Sequence, residues 1–210
     1  MRAIDDGAVA RPRNQTARRR QLVEAAGRVI AARGVAGLRI KDVAEEADVS
    51  AGSVSYYFPD LDGLLLDVHR DAVDRFYWLR SEAAAQADDP RDKLLRLVEQ
   101  GVPDDAGDPL GLLLYELHLN AARDSSHAVL MSDLFDREVS LYAGVLEVGV
   151  ASGVFLPTED IRATATTAVV LEDGYGLHIV GRNQALAPQE ARRLMRAYLS
   201  SVTGCDLESR

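Results

Sequence analysis

Residues 40–58 read IKDVAEEADVSAGSVSYYF, and the spacing within this stretch decides the fold. Residues 40–47 are predicted to form a short helix, 48–50 a turn, and 51–57 a second short helix. Ser50 precedes the second helix, where its hydroxyl suits an N-cap. Two short helices joined by a tight turn are typical of a helix-turn-helix, which reads DNA with its second helix.

The same stretch supplies the small core that such a motif needs. Two helices that cross steeply require a small residue at the crossing point, and Ala44 stands there. Apolar residues on the facing sides are predicted to fill the shared core: Val43, Ala47, Val49 and Val54. Phe58 is interpreted as core as well.

The second helix should present small polar and aromatic side chains to the major groove. Free amides at its N-terminus, near Ser50 and Ala51, suit an anion such as a phosphate. The best candidates for base edges are Ser53, Ser55 and Tyr57. The residues of this helix predicted to contact DNA are Ser50, Ala51, Gly52, Ser53, Ser55, Tyr56 and Tyr57.

Charge is divided unevenly along the chain, whose net charge is −9. Residues 11–41 contain nine basic side chains and one acidic one, whereas residues 81–210 contain 11 basic and 21 acidic ones. This pattern favours a basic DNA-binding head on an acidic body, although a solvated basic helix without a partner is the alternative. Arg39 and Lys41 are candidate phosphate contacts, and Tyr56 suits either a phosphate or a thymine methyl group.

With these residues in place, the stretch resembles the TetR family of regulators. The resemblance implies an all-helical homodimer whose C-terminal domain binds a ligand and thereby releases DNA, with repression as the default. Asp48, Ser55 and Leu61 depart from the family pattern. Leu61 replaces a lysine that contacts phosphate, so Arg39, Lys41 and the basic N-terminal arm would have to compensate. The matching residues are 40–58, Leu64 and Leu65, and, before them, Ala26, Ile30, Gly34, Gly37 and Leu38.

The rest of the chain also predicts helices, so the fold class is all-α with about nine helices. A three-helix helix-turn-helix domain is followed by a C-terminal helical domain for ligand binding and dimerisation. The expected organisation is a disordered basic arm at 1–13, the DNA-binding domain at 14–60, the second domain at 61–203 and a tail at 204–210. Helices are expected at 61–85, 90–101, 110–123, 125–153, 158–182 and 188–202.

The C-terminal part more loosely resembles the BetI subgroup, through residues 89–95, 171–174 and 190–194. Residues 110–122 are so apolar that they are expected at the centre of this domain. Each polar exception there is an ion pair, a surface residue or a ligand group. Two or more in one cavity would favour a cationic or amine-bearing effector. The candidates are Tyr115, Glu116 and Asn120 in this stretch, and Asp173 and His178, which are polar exceptions in the apolar helix at 158–182.

Small and apolar residues also recur along the last two long helices, which predicts a four-helix dimer interface. A dimer would match a palindromic operator, because a monomer reads only one half-site. One row consists of Ala163, Ala165, Ala168, Leu171, Gly174 and Leu177, and the other of Ala191, Leu194, Ala197 and Tyr198.

The sequence lacks the signatures of an enzyme. None of the common zinc, phosphate-binding or dinucleotide-binding motifs is present, so no catalytic residue, metal or cofactor is expected. No apolar run is long enough for a membrane span, and the single cysteine fits a reducing cytoplasm. A helical protein without ligand response is the remaining alternative, and a closed, filled core in the second domain would favour it.

Overall fold

The computed structural model describes residues 10–156 and 159–207, with side chains from residue 15 onward, and these form nine α-helices and no strand. The chain divides into two compact units, Met1–Asp71 and Ala72–Arg210. The helices are α1 (Ala10–Arg33), α2 (Ile40–Glu46), α3 (Ala51–Tyr57), α4 (Leu61–Ala85), α5 (Pro90–Gly101), α6 (Pro109–Ala121), α7 (Ser125–Ala151), α8 (Ile161–Val180) and α9 (Pro188–Thr203); a single 3₁₀ turn, Val35–Gly37, follows α1.

Helix ends lie where local chemistry places them. Gly34 follows α1 with a φ of 77°, and Asp48 occupies the turn between α2 and α3 with a φ of 54°. Such left-handed backbone suits glycine and is tolerated by aspartate. In the second unit, aspartate side chains accept N-terminal amide hydrogens of four successive helices, which fixes where each one begins. These caps are Asp89, Asp108, Asp124 and Asp160.

The first unit has the core that its sequence pattern predicts. Ala44 is buried where α2 crosses α3, and Val54 of α3 has no exposed surface. Apolar residues of α1 and the start of α4 close this core around Phe58, which is also buried. The remaining buried members are Leu22, Val23, Ala25, Ala26, Val29, Ile30, Leu38, Val43, Ala47, Leu64, Leu65 and Val68.

The core of the second unit lies elsewhere than its most apolar helix. Buried side chains of α5, α7, α8 and α9 form one cluster, which includes Leu97, Tyr142, Val169 and Met195. The expectation that residues 110–122 form the centre is wrong, because α6 contributes no residue to this cluster and leaves Leu119 74% exposed. Burial follows the number of neighbouring helices, and mean apolarity does not report that number.

Two expected boundaries also differ. Helix α1 begins at Ala10, so residues 10–13 continue the helix instead of belonging to a disordered arm. Asn14 and Thr16, whose side chains suit an N-cap and would predict a later start, lie inside the helix. Met1–Val9 fall outside the described residues. The compact first unit extends to Asp71 instead of residue 60, because the first turns of α4 pack into its core through Leu64, Leu65 and Val68.

Candidate DNA-binding surface and effector site

Helix α3 presents a polar and aromatic surface. Ser55 and Tyr56 are exposed, the latter by 71%, while Ser53 and Tyr57 are half-buried. The rings of Tyr56 and Tyr57 contact each other edge to face at 5.1 Å between centroids. Ala51 and Gly52 at the start of the helix are exposed and small. The helix can therefore approach a groove closely, as a recognition helix must.

The start of α3 differs from the anion site that the sequence suggests. The Ser50 hydroxyl accepts the amide hydrogen of Ser53 at 3.2 Å, so this amide is already satisfied inside the protein. Ser50 therefore acts as the helix cap. Gly52 has nothing but the Ser50 hydroxyl near the position that a Cβ would take.

The basic stretch is used partly within the protein. Arg28 pairs with Glu46 at 2.6 Å and Arg33 with Asp42 at 3.3 Å, so two arginines of α1 hold α2 in place. Arg39 and Lys41, at the start of α2, are exposed and form no ion pair with the described side chains. Their position beside α3 makes them the available cations for a phosphate backbone.

Arg19 of α1 fixes the end of α3. It donates from Nη1 to the Tyr57 carbonyl at 3.0 Å and from Nε to Asp67 at 2.8 Å. Its guanidinium also lies 4.2 Å from the centre of the Phe58 ring. One side chain therefore joins α1, the last residue of α3 and the first turns of α4, so it sets the orientation of the recognition helix.

A buried charge cluster occupies the second unit. Arg80 of α4 is 1% exposed and donates to Glu138 of α7 and Glu172 of α8, both of which are also buried. Tyr142 donates its hydroxyl hydrogen to Glu172 at 2.5 Å. Gly101 of α5 makes room for this carboxylate, because a Cβ there would overlap it. Arg80 Nε has no hydrogen-bond partner among the described atoms.

Burial sets the protonation of this cluster. It raises the pKa of Glu138 to about 8 and raises that of Glu172, while the Arg80 charge acts in the opposite direction. For Arg80 itself, burial disfavours the charge, but Glu172 and Glu138 outweigh it and hold the pKa above its ordinary value. Burial also raises the pKa of Asp173 to about 6, again against Arg80. The cluster holds more acid than base.

A small cavity of about 40 Å³ opens onto these charges. Three carboxyl groups line it, from Glu138, Glu172 and Asp173, and one guanidinium, from Arg80. Aromatic rings form further walls. The other lining residues are Phe76, Gly101, Pro103, Gly111, Leu114, Tyr115, His118 and Leu134. This inner cavity has the composition of a cation site, since acidic groups exceed basic ones and ring faces attract cations.

A larger groove of about 420 Å³ lies between α6 and α8. It shares three residues with the inner cavity, namely Tyr115, His118 and Asp173. The Tyr115 hydroxyl donates to the Asp173 carbonyl at 3.1 Å, and its ring stacks on His118. A Cβ at Gly176 would overlap the Tyr115 hydroxyl, so this glycine makes the ring's position possible. Burial lowers the pKa of His118, which favours a neutral imidazole.

The structure brings together some of the predicted ligand residues. Tyr115 and Asp173 line both spaces, and Glu116 lines the outer groove. Asn120 lines neither and stands at the end of α6, while His178 is exposed on α8 with Nδ1 3.1 Å from the Asn183 amide. Position 178 falls outside the buried row of α8, which runs through Val169, Glu172, Gly176 and Ile179.

Sequence reasoning missed Arg80, Glu138 and Phe76 as members of the site. A signal existed, because Glu138 follows Leu134 and precedes Tyr142 at helical spacing, on the buried face of α7. Arg80 likewise follows Val73 and Phe76 along α4. A charged residue within an apolar row is an indication of a buried ion pair.

The two rows of residues that the sequence predicts for the dimer interface are only partly exposed. Ala165, Ala168 and Ala191 are buried within the protomer and cannot meet a partner. The exposed positions of α8 follow a different row with spacings of four and three residues, the spacing of helices that pack side by side. This row consists of Ala163, Thr167, Val170, Gly174 and Leu177.

The described helices include none that is both long and apolar enough to cross a membrane. Within the same residues, no group of three or more histidine, cysteine, aspartate or glutamate side chains is arranged to hold a metal ion.

Fold and surface together define a helix-turn-helix DNA-binding protein. Residues 22–68 match the family described as bacterial regulatory proteins of the tetR family, and residues 90–204 match the C-terminal domain of BetI-type transcriptional repressors. The chain therefore belongs to the TetR family of transcriptional regulators, with a BetI-type C-terminal domain. Members of this family regulate transcription and are not enzymes.

Individual relatives agree with this assignment. The HTH-type transcriptional regulator BetI of Paraburkholderia phytofirmans is 43% identical over 84 residues, which cover 39% of this chain and 42% of the relative. The matched stretch is thus less than half of that regulator.

Solved structures extend the likeness to most of the chain. A putative transcriptional regulator from Saccharomonospora viridis, in complex with choline, has a TM-score of 0.80 at 25% identity over 88% of this chain and 96% of that one. A putative TetR-family regulator from Rhodococcus sp. has a TM-score of 0.74 at 28% identity, over 90% and 99% respectively.

Proposed function

We propose that this protein is a cytoplasmic repressor that binds a palindromic operator as a homodimer and leaves it when a cationic small molecule binds in the second unit. The observation that carries the DNA-binding part is the exposed face of α3 beside Arg39 and Lys41. Ser53, Ser55 and Tyr57 read base edges, Tyr56 contacts a phosphate or a thymine methyl group, and the two cations hold the backbone.

Dimerisation follows from the need to read two half-sites. The exposed residues in the first part of α8 support it, because Ala163 and Thr167 are small enough for close helix approach and Val170 is an exposed apolar residue between them and the groove. On α9, Leu194, Ala197 and Tyr198 are half-buried, and the Tyr198 hydroxyl donates to the Thr164 carbonyl of α8 at 3.3 Å. Native mass spectrometry tests the arrangement, since Val170→Glu would place like charges at the seam and convert dimer to monomer.

The cationic effector is supported by the surplus of acid around the inner cavity. Glu138, Glu172 and Asp173 face a single guanidinium, that of Arg80. A cation would be stabilised there by charge and by the faces of Phe76 and Tyr115. The regulator from Saccharomonospora viridis, a structural relative, is in complex with choline, which is a cation of this kind.

A mobility-shift titration tests the proposal as a whole. The DNA is the region upstream of the protein's own gene, with a shuffled duplex of equal length as the control. Tighter binding to the natural region is expected, and affinity should fall about a thousandfold between roughly 50 and 200 mM salt if about six phosphates are contacted. Choline added to the complex should release the DNA. Equal affinity for both duplexes would contradict operator recognition.

A further inference from the structure

The inner cavity and the outer groove share one wall. Tyr115, His118 and Asp173 line both, and the Tyr115 hydroxyl donates to the Asp173 carbonyl at this wall. The two spaces therefore adjoin each other at these three residues. The protein therefore contains one composite site with two chemically different halves.

The size of each half constrains what it holds. At about 40 Å³ the inner cavity has room for a few water molecules, far less than the roughly 300–1,000 Å³ of ligand pockets. The outer groove, at about 420 Å³, lies within that range. A ligand that uses the inner charges must therefore leave most of its volume in the groove.

The groove is apolar where it departs from the shared wall. Leu112 and Leu119 line it from α6, and Leu177 and Val180 line it from α8. Leu119 is 74% exposed and Leu177 57% exposed, so both leave apolar surface open to solvent. An apolar chain laid along this groove would remove that surface from water, which is favourable in proportion to the area covered.

Charge lies at one end of this composite site. Asp173 stands at the shared wall, with Glu138 and Glu172 behind it and Glu116 on the groove side. Arg80 is the one lysine or arginine among the residues that line these two spaces, and it is already paired with Glu138 and Glu172. An ammonium group at the shared wall meets the carboxylate of Asp173, which is ionised above its pKa of about 6, whereas an anionic head would meet like charge.

We propose that the effector is a cationic amphiphile, with an ammonium head at the wall formed by Tyr115 and Asp173 and an apolar chain along the groove between α6 and α8. This inference rests on the proposed cationic effector site and specifies the chemical class of its ligand. A small cation such as choline contacts the charged wall and leaves most of the groove unfilled. The chain makes the additional contacts, through Leu119 and Leu177 above all.

Calorimetric titration of the full chain tests the proposal with choline, butyltrimethylammonium and octyltrimethylammonium, each below its micelle concentration. Affinity should rise roughly two- to fourfold for each added methylene. Octanol and octyl sulfate, which carry the chain without the positive charge, should bind far more weakly.

A matched pair of variants locates the chain. Leu119→Ser changes an exposed groove residue, and Val129→Ser changes a residue of α7 that is 68% exposed and lines neither space. Leu119→Ser should weaken octyltrimethylammonium roughly fivefold and leave choline unchanged. Val129→Ser should change neither. Because both sites are exposed, both variants should fold.

The outcomes separate this inference from the function on which it rests. If all three cations bind with equal affinity, the amphiphile is overturned while the cationic site stands. If Leu119→Ser turns dimers into monomers and chain length has no effect, a second copy of the chain covers the groove, and the proposal fails. If no cation binds although the protein still binds DNA, the proposal of a cationic effector is contradicted as well. Octanol binding as tightly as octyltrimethylammonium would also overturn the proposal.

Discussion

Arg80 donates from Nη2 to both carboxylate oxygens of Glu172, at 3.0 and 2.7 Å, and thereby joins α4 to α8 inside the second unit. Neither side chain is accessible to water. A buried pair of this kind contributes little compared with well-packed apolar residues, but removing one partner leaves an uncompensated charge. Arg80 also serves Glu138, so a single guanidinium compensates two carboxyl groups.

Arg80→Met should therefore destabilise the second unit strongly. We expect a loss of about 3–5 kcal/mol in the free energy of unfolding, measured by urea denaturation. The loss of stability should be smaller at acidic pH, because Glu138 and Glu172 are neutral when protonated and then need no compensating cation. Arg193→Met provides the control, since Arg193 pairs with Glu190 on the exposed face of α9, and it should leave the melting temperature almost unchanged. A pH-independent loss would argue against the buried carboxylates as its cause.

Stability should also depend on pH through Glu138. Burial raises the pKa of Glu138 to about 8 from an ordinary value of 4.5. Between these values the folded protein keeps a proton that the unfolded chain has released, so stability should fall as pH rises and level off above about 8. Glu138→Gln mimics the protonated form. Its unfolding free energy should vary less with pH, and near pH 8 it should exceed that of the wild type.

The comparison is made by urea denaturation at several pH values. Some pH dependence should remain in Glu138→Gln, because burial raises the pKa of Glu172 as well. Parallel curves for the two proteins would show that Glu138 does not titrate in this range.

Arg19 should affect DNA binding through the position of α3. Arg19→Met removes its bonds to the Tyr57 carbonyl and to Asp67. We expect operator affinity to fall roughly tenfold, since a recognition element must be held in place by its supporting residues. Arg20→Met is the matched control, because Arg20 pairs only with Glu24 of the same helix among the described residues. Equal losses for both variants would indicate a general charge effect instead of positioning.

Tyr57 should contribute to specificity more than to general affinity. Tyr57→Ala is expected to weaken operator binding by about tenfold or more while changing binding to the shuffled duplex much less. The readout is the ratio of the two affinities, and the slope of affinity against salt should stay unchanged. Thermal melting confirms that the half-buried site tolerates the change. Equal weakening on both duplexes would contradict base recognition.

Much of the fold follows from local sequence signals. Ala44 and Ser50 define the helix-turn-helix, and Gly34, Asp48 and Asp160 end or begin elements through their own backbone and capping chemistry. Such signals act between neighbours in the sequence, so a single chain is enough to recognise them. The start of α1 at Ala10 was not predicted, because Asn14 and Thr16, two residues suited to an N-cap, lie inside the helix.

The effector site could be predicted only in part. Tyr115 and Asp173 stand out as polar residues in apolar helices, and both line the site. Arg80 and Glu138 lie 58 residues apart in the sequence and on different helices, so their pairing depends on how those helices pack. His178 has a polar side chain that could bind a ligand, but it lies on the exposed side of α8. One step along a helix turns a side chain by about a quarter of a circle, so the sequence pattern alone does not fix the side. Pattern alone identifies candidate groups, and packing decides which of them meet.

The two glycines at the effector site have a consequence for anyone who wishes to change what the protein senses. Glu172 and Tyr115 stand where they do because Gly101 and Gly176 have no side chain. A survey of ligand contacts would pass over both positions, since they offer no functional group. Yet an alanine at position 101 would displace the Glu172 carboxylate, and one at position 176 would displace the Tyr115 ring. Either substitution would change the groups that line the cavity without adding a new ligand contact. A library intended to change the ligand preference should therefore include these two glycines.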